Sequence, residues 1–193
     1  MLDYITMRRH LNRVLCCTGL LLGLGSAVAA ADQKDPRLPA LFQRLHDADN
    51  AQIARLTEFM IWQIWSESGT PELDRMMEEG EAAMETQDYA AAIGIFSEIV
   101  AARPDFAEGW NRRATVYYLS GDYNASLADI EKVLELEPRH FGAISGLGVV
   151  NLARAHDEAA RDAFERVLSL YPRNAPAREN LKLVKKRLDD SAI

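Results

Sequence analysis

Three prolines, Pro104, Pro138 and Pro172, are spaced 34 residues apart. A fixed period of this size constrains a chain strongly, because it marks one supersecondary unit stacked on copies of itself. The unit is clearest at residues 107–138, A-E-G-W-N-R-R-A-T-V-Y-Y-L-S-G-D-Y-N-A-S-L-A-D-I-E-K-V-L-E-L-E-P. It reads as two amphipathic helices broken at Gly121 and Asp122. Pro138 closes the second helix, since proline lacks an amide donor and disfavours the helical conformation in the residue before it.

The same residue types recur one period away on either side. Met76, Gly80, Ala83, Tyr89, Ala92 and Phe96 precede Pro104, and Trp110, Ala114, Tyr117, Gly121, Tyr123, Ser126 and Ile130 precede Pro138. Ile144, Leu147, Gly148, Ala160 and Phe164 precede Pro172. Small residues at 80, 114 and 148 let two helices cross closely, and the large ones fill the space between hairpins. No single unit can bury its apolar face, so stacking completes the core.

This pattern resembles the tetratricopeptide repeat, over residues 73–106, 107–140 and 141–174. The third copy departs most, with Ala155 at the family's turn glycine and Asp157 at its tyrosine. The resemblance implies an all-α fold, a right-handed superhelical array of helical hairpins whose work is to hold a partner.

The flanks extend the array. Residues 32–72 read as a polar leader and an N-terminal helical hairpin. Leu38, Leu41, Phe42 and Leu45 line its first helix, and Asp49 or Asn50 caps the second. Ile53, Leu56, Met60, Ile64 and Trp65 are expected on one face of that second helix. Residues 59–65 are apolar almost all round, which predicts burial on more than one side, between the leading helix and the first repeat. The competing expectation is an exposed Trp62 and Trp65 patch for a dimer or a membrane. Residues 175–193 read as a capping helix with Leu181, Val184 and Leu188 inward and Lys182, Lys185, Lys186 and Arg187 outward.

Residues 1–31 have the form of a signal peptide. Arg8, Arg9 and Arg13 precede an uncharged apolar run, and Ala27-Val28-Ala29 offers the small residues of a cleavage site. This predicts a periplasmic or secreted protein, cut after Ala29 or Ala31, with Met1 or Met7 as the start. The alternative is an inner-membrane anchor formed by an uncleaved segment 14–31. Both cysteines, Cys16 and Cys17, fall in this segment, so the remainder has no disulfide, thiol nucleophile or thiolate ligand.

The formal charge is -7, which argues against a nucleic-acid partner. His46, His140 and His156 fall in different hairpins without metal-ligand spacing, and no serine has a nucleophile-elbow context. The reading is a non-enzymatic chain with no cofactor, metal or catalytic residue. His140 is expected to be an ordinary turn residue.

In the family, the first helix of each repeat lines a concave groove. Carried over, the resemblance assigns Met77, Glu81, Met84, Asn111, Thr115, Tyr118, Leu119, Ser145, Val149 and Leu152 to a groove that would take a peptide or helix of a partner protein. One subfamily clamps the C-terminal carboxylate of heat-shock chaperones with groove Lys, Asn and Arg. Here those positions carry Met77, Glu81, Arg112, Gly142 and Gly146, so that ligand is not expected. Arg112 and Arg113 are expected to pair with Glu108 and other neighbouring acids. The alternative is a self-associating module, a homodimer that buries the groove or the Trp62/Trp65 hairpin between copies.

Overall fold

The structure, a computed structural model, describes residues 32–191. The expected signal segment therefore lies outside the described residues. Within them the chain is all helical, without strands: α1 (Leu38–His46), α2 (Ala51–Ser66), α3 (Pro71–Glu85), α4 (Tyr89–Ala102), α5 (Ala107–Ser120), α6 (Tyr123–Leu136), α7 (Phe141–Ala153), α8 (Asp157–Leu170) and α9 (Ala175–Ser191). Helices α3/α4, α5/α6 and α7/α8 pair as antiparallel hairpins that stack in sequence, and α9 closes the stack against α8.

Within each hairpin a small residue on the first helix meets a large one on the second. A Cβ added to Gly80 would lie 2.6 Å from Phe96 Cζ, and one added to Gly148 would lie 2.6 Å from Phe164 Cε1. In the middle repeat Ala114 and Ile130 share one buried cluster. Glycine thus stands opposite Phe twice, and alanine opposite the slimmer Ile once. The sum of the two side chains, rather than either alone, fits the helix crossing.

The turns inside the hairpins also keep the period. Gln87, Gly121 and Ala155 all take positive φ, at 62°, 85° and 58°. Only one is a glycine, the residue that adopts this conformation without strain. The geometry of the stack therefore imposes the left-handed turn on Gln87 and Ala155. Asp88 and Asp122 follow it as N-caps, accepting from the amides of Ala91 and Ala125 at 3.1 Å each. His156 in the third repeat makes no side-chain cap.

The N-terminal hairpin departs from its expected position. No extended interface joins α2 to α3, although they are consecutive. Instead α1 and α2 fold back across the array, and their apolar residues share one core with Phe141, Ile144, Ala163, Phe164 and Tyr171 of the third repeat. Trp62 and Trp65 are buried, so they form no exposed patch. Asn50 is the cap of α2, accepting from Gln52 and Ile53 at 3.0 Å.

The buried face of α2 is Ala54, Thr57, Ile61, Trp62, Ile64 and Trp65. Leu56 and Met60, expected inside, are 54% and 44% exposed. A run that is apolar on every side does not set its own rotational phase. The aromatic residues of a distant repeat set it here.

Candidate functional site

The hairpin reads three equivalent turns, each just before the first helix of a repeat or of the cap. At turn 103–106, Arg103 pairs with Asp32 at 3.0 Å and also donates to the Ser68 carbonyl. Gln33 donates to the Asp105 carbonyl at 2.5 Å and accepts from the Ala107 amide at 3.3 Å. At turn 137–140, the Arg139 guanidinium lies 4.3 Å from the Phe42 ring centre while paired with Glu137 at 2.7 Å. At turn 171–174, Arg173 donates to the Ala48 carbonyl at 2.6 Å and to the Asp49 carbonyl. The Tyr171 hydroxyl donates to Glu58 at 3.1 Å. Burial pushes the Glu58 carboxyl above its ordinary range, opposed by hydrogen bonds from Tyr171 and Trp62.

Beneath α2 lies a buried polar cluster. Glu108 Oε1 is 2.7 Å from Arg112 Nε, an ion-pair contact off the hydrogen-bond line. Its other oxygen accepts from Asn111 at 3.0 Å and meets His140 Nε2 at 3.1 Å. The Ala143 amide donates to His140 Nδ1 at 3.1 Å, capping α7. With Nδ1 accepting, the ring proton sits on Nε2 and is donated to Glu108. Arg112 also reaches Glu81 at 3.3 Å.

Trp65 stacks on the His140 ring at 4.1 Å and 10°, and Trp62 stands edge-on to it at 5.5 Å. A Cβ at Gly142 would fall 2.5 Å from Trp62 Cη2, so only glycine leaves room for that ring. Glu108, Asn111, Arg112 and His140 are all buried with their polar atoms turned on one another. This arrangement can orient and lock helices, but it presents no base or nucleophile to solvent. His140 is thus a buried cap and stacking platform rather than an ordinary turn residue. Among the described residues no cluster of His, Cys, Asp and Glu is suited to hold a metal.

The ten groove residues divide into two sets. Met77 and Met84 are buried with Phe96, Ile99 and Phe106 in the first repeat's core. Asn111 belongs to the polar cluster, Thr115 donates to the Asn111 carbonyl at 2.9 Å, and both are buried. Glu81 is tied to Arg112. The other five, Tyr118, Leu119, Ser145, Val149 and Leu152, keep solvent-facing surface, and Leu119 is 44% exposed. Thr115 and Val149, and Tyr118 and Leu152, are one period apart on the neighbouring helices α5 and α7. Of these, Tyr118, Val149 and Leu152 keep partly exposed apolar surface, with Val149 and Leu152 also packed against the core shared with the N-terminal hairpin.

Arg113 is held by Asp129 at 2.7 Å and lies 4.8 Å from the Trp110 ring centre, so pairing accounts for it as for Arg112. On α9, Lys185 pairs with Glu165 at 2.9 Å and Arg187 with Asp157 at 3.1 Å. Sequence reasoning missed Arg103, Arg139, Tyr171 and Arg173, which anchor the N-terminal strap (residues 32–66), and it read Glu108 only as a partner of Arg112 and Arg113, without His140. Their signal was available, since they stand in or beside the turns marked by the periodic prolines.

The tetratricopeptide repeat model matches residues 107–140. A TPR repeat-containing protein of Rhizobium etli is 35% identical over 159 residues, spanning 82% of this chain and 78% of its own length. The chain belongs to the tetratricopeptide repeat family. It is also 30% identical over 97 residues to the heat-shock protein cognate co-chaperone sgt12 of Aspergillus fumigatus, covering 50% of this chain but only 28% of that protein. Among solved structures it superposes on the Sgt2 TPR domain from Aspergillus fumigatus with a TM-score of 0.61 and 25% identity, covering 64% of this chain and 83% of that one. The first TPR of RPAP3 bound to the HSP90 peptide SRMEEVD gives 0.59 at 24% identity, covering 61% and 93%. The tetratricopeptide array is thus an all-α superhelix of the family type. The wrapped-back hairpin comes in addition to its three repeats.

Proposed function

We propose that this tetratricopeptide protein is an interaction scaffold in the cell envelope. It takes an apolar peptide or helix of a partner on the open half of its concave face. The observation that carries the reading is the exposed Leu119 beside the partly exposed Tyr118, Val149 and Leu152, on the helices that line the groove in this family. The first TPR of RPAP3, a structural neighbour, binds the HSP90 peptide SRMEEVD, which is acidic. In this chain the groove arginine Arg112 is committed to Glu108 and Glu81, which disfavours an acidic tail and favours apolar contact. The signal-like segment and the absence of cysteine beyond residue 31 support export.

The test is a photo-crosslinking amino acid placed at Leu119 or at Leu183, in the full chain expressed in cells. Leu183 on α9 is 47% exposed and serves as a matched control. Adducts of discrete mass at position 119 and none at 183 are expected from envelope fractions. Equal adducts at both positions, or adducts at 183 alone, contradict the reading.

A further inference from the structure

The face of the array under α2 is a binding site, and the chain's own hairpin is its occupant. Its specificity is visible: the missing side chain of Gly142 admits the Trp62 ring, and the flat His140 imidazole receives Trp65. Arg103 and Arg173 supply donors for a carboxylate and for main-chain carbonyls of the strap. We propose that the same site accepts the hairpin of a second copy. Two chains would then exchange residues 32–66, each array strapped by its neighbour's α1 and α2.

Three observations carry this. First, the contacts that hold the strap run between residues 32–66 and residues 103–184, while α3, to which it is covalently joined, shares no extended interface with it. Each of those contacts can therefore form between two chains with unchanged geometry. Second, the boundary between strap and array is one residue wide. Ser68 belongs to the array, its amide donating to Asp74 at 2.8 Å and its carbonyl accepting from Arg103. Ser66 ends α2, and between them Glu67 is extended (φ -83°, ψ 110°) and exposed. Rotation at that one residue redirects the hairpin while Ser68 keeps its bonds to Asp74 and Arg103. Third, the site is built to be filled. Left open, it would expose Phe141, His140 and the ion-paired Glu108 and Arg112 together, a mixture of apolar and buried charged surface that favours any chain able to cover it. Exchange of an identical element is a low-cost route to a dimer, because the new interface is the old one. The proposal uses none of the open groove around Leu119 and does not depend on it.

The test is complementation between two variants of the full chain. Gly142→Leu blocks the site and leaves the hairpin intact. Trp62→Ala/Trp65→Ala disables the hairpin and leaves the site intact. Each alone should be monomeric by light scattering. Mixed, they should give a one-to-one heterodimer in native mass spectrometry, since one good hairpin meets one good site. A mixture that stays monomeric while both variants keep their helical circular dichroism overturns the proposal. If either variant loses its helical signal, the wild type decides. Unlabelled and ¹⁵N-labelled chains are combined at high concentration, warmed to the unfolding midpoint and cooled. Mixed-mass dimers, absent when both chains carry Gly142→Leu, support exchange. Monomers throughout, or dimers that persist in that variant, overturn it.

Discussion

The three repeats and the strap are all built from helix pairs, yet different relations hold them. Each repeat is packed by its own halves and its immediate neighbours: Gly80 against Phe96, Gly148 against Phe164. The strap is packed by residues far away in sequence, Trp65 by His140 and Glu58 by Tyr171. A periodic unit carries its partner's address in its own sequence. A hairpin used once does not, and its fit depends on residues whose role appears only after folding.

The largest expected effect comes from removing the strap's main aromatic contact with the array. Trp65→Ala removes the stacked ring and leaves a cavity, a loss of about 3–5 kcal/mol, typical of Trp→Ala in a core. Urea unfolding checks it. A loss below about 1 kcal/mol would show that the strap does not contribute as a repeat does.

Glu108→Ala is expected to cost about 3 kcal/mol or more, because it leaves the buried Arg112 without one of its carboxylates and His140 without its acceptor. A neutral result would mean that the polar cluster is not closed by Glu108.

Next come the repeat turns, where the three copies can be compared with one another. Gln87→Gly and Ala155→Gly are each expected to gain about 1 kcal/mol by relieving positive φ, and Gly121→Ala to lose about as much. The space around Gly121 is open, so its loss reports conformation alone. Thermal melts of the three variants test the set, and opposite signs at 87 and 155 would contradict it.

The smallest effect is a pH dependence. Burial raises the Glu58 carboxyl above its ordinary value of 4.5, so the folded strap binds this proton more tightly than the unfolded chain does. The associated stability is therefore present below the ordinary value and is lost as pH rises through the raised one. Glu58→Gln should flatten that decline between the acid range and neutrality. An unchanged pH profile would show that Glu58 is solvated.

Much of the array was legible because its constraints are local. The prolines, the small residues at 80, 114 and 148 and the break at Gly121 and Asp122 each act within one hairpin. The strap's existence was legible too, from Leu38, Leu41, Phe42 and Leu45. Its docking was not. Residues 59–65 are apolar on all sides, so helical periodicity left the phase of α2 open, and the phase was settled by His140 and Phe141 some 75 residues later. The candidate groove was misjudged in part for a related reason. Met77, Met84, Asn111 and Thr115 occupy positions that line a groove in the family. Here they belong to the first repeat's core and to the polar cluster.

The most direct measurement of the central claim, that the strap belongs energetically to the later repeats, is amide hydrogen exchange on the wild type and Trp65→Ala. The account predicts the largest loss of protection in residues 137–144 and 171–177, with α3 and α4 changed least although they follow the strap in sequence. Loss concentrated in α3 and α4 would contradict it.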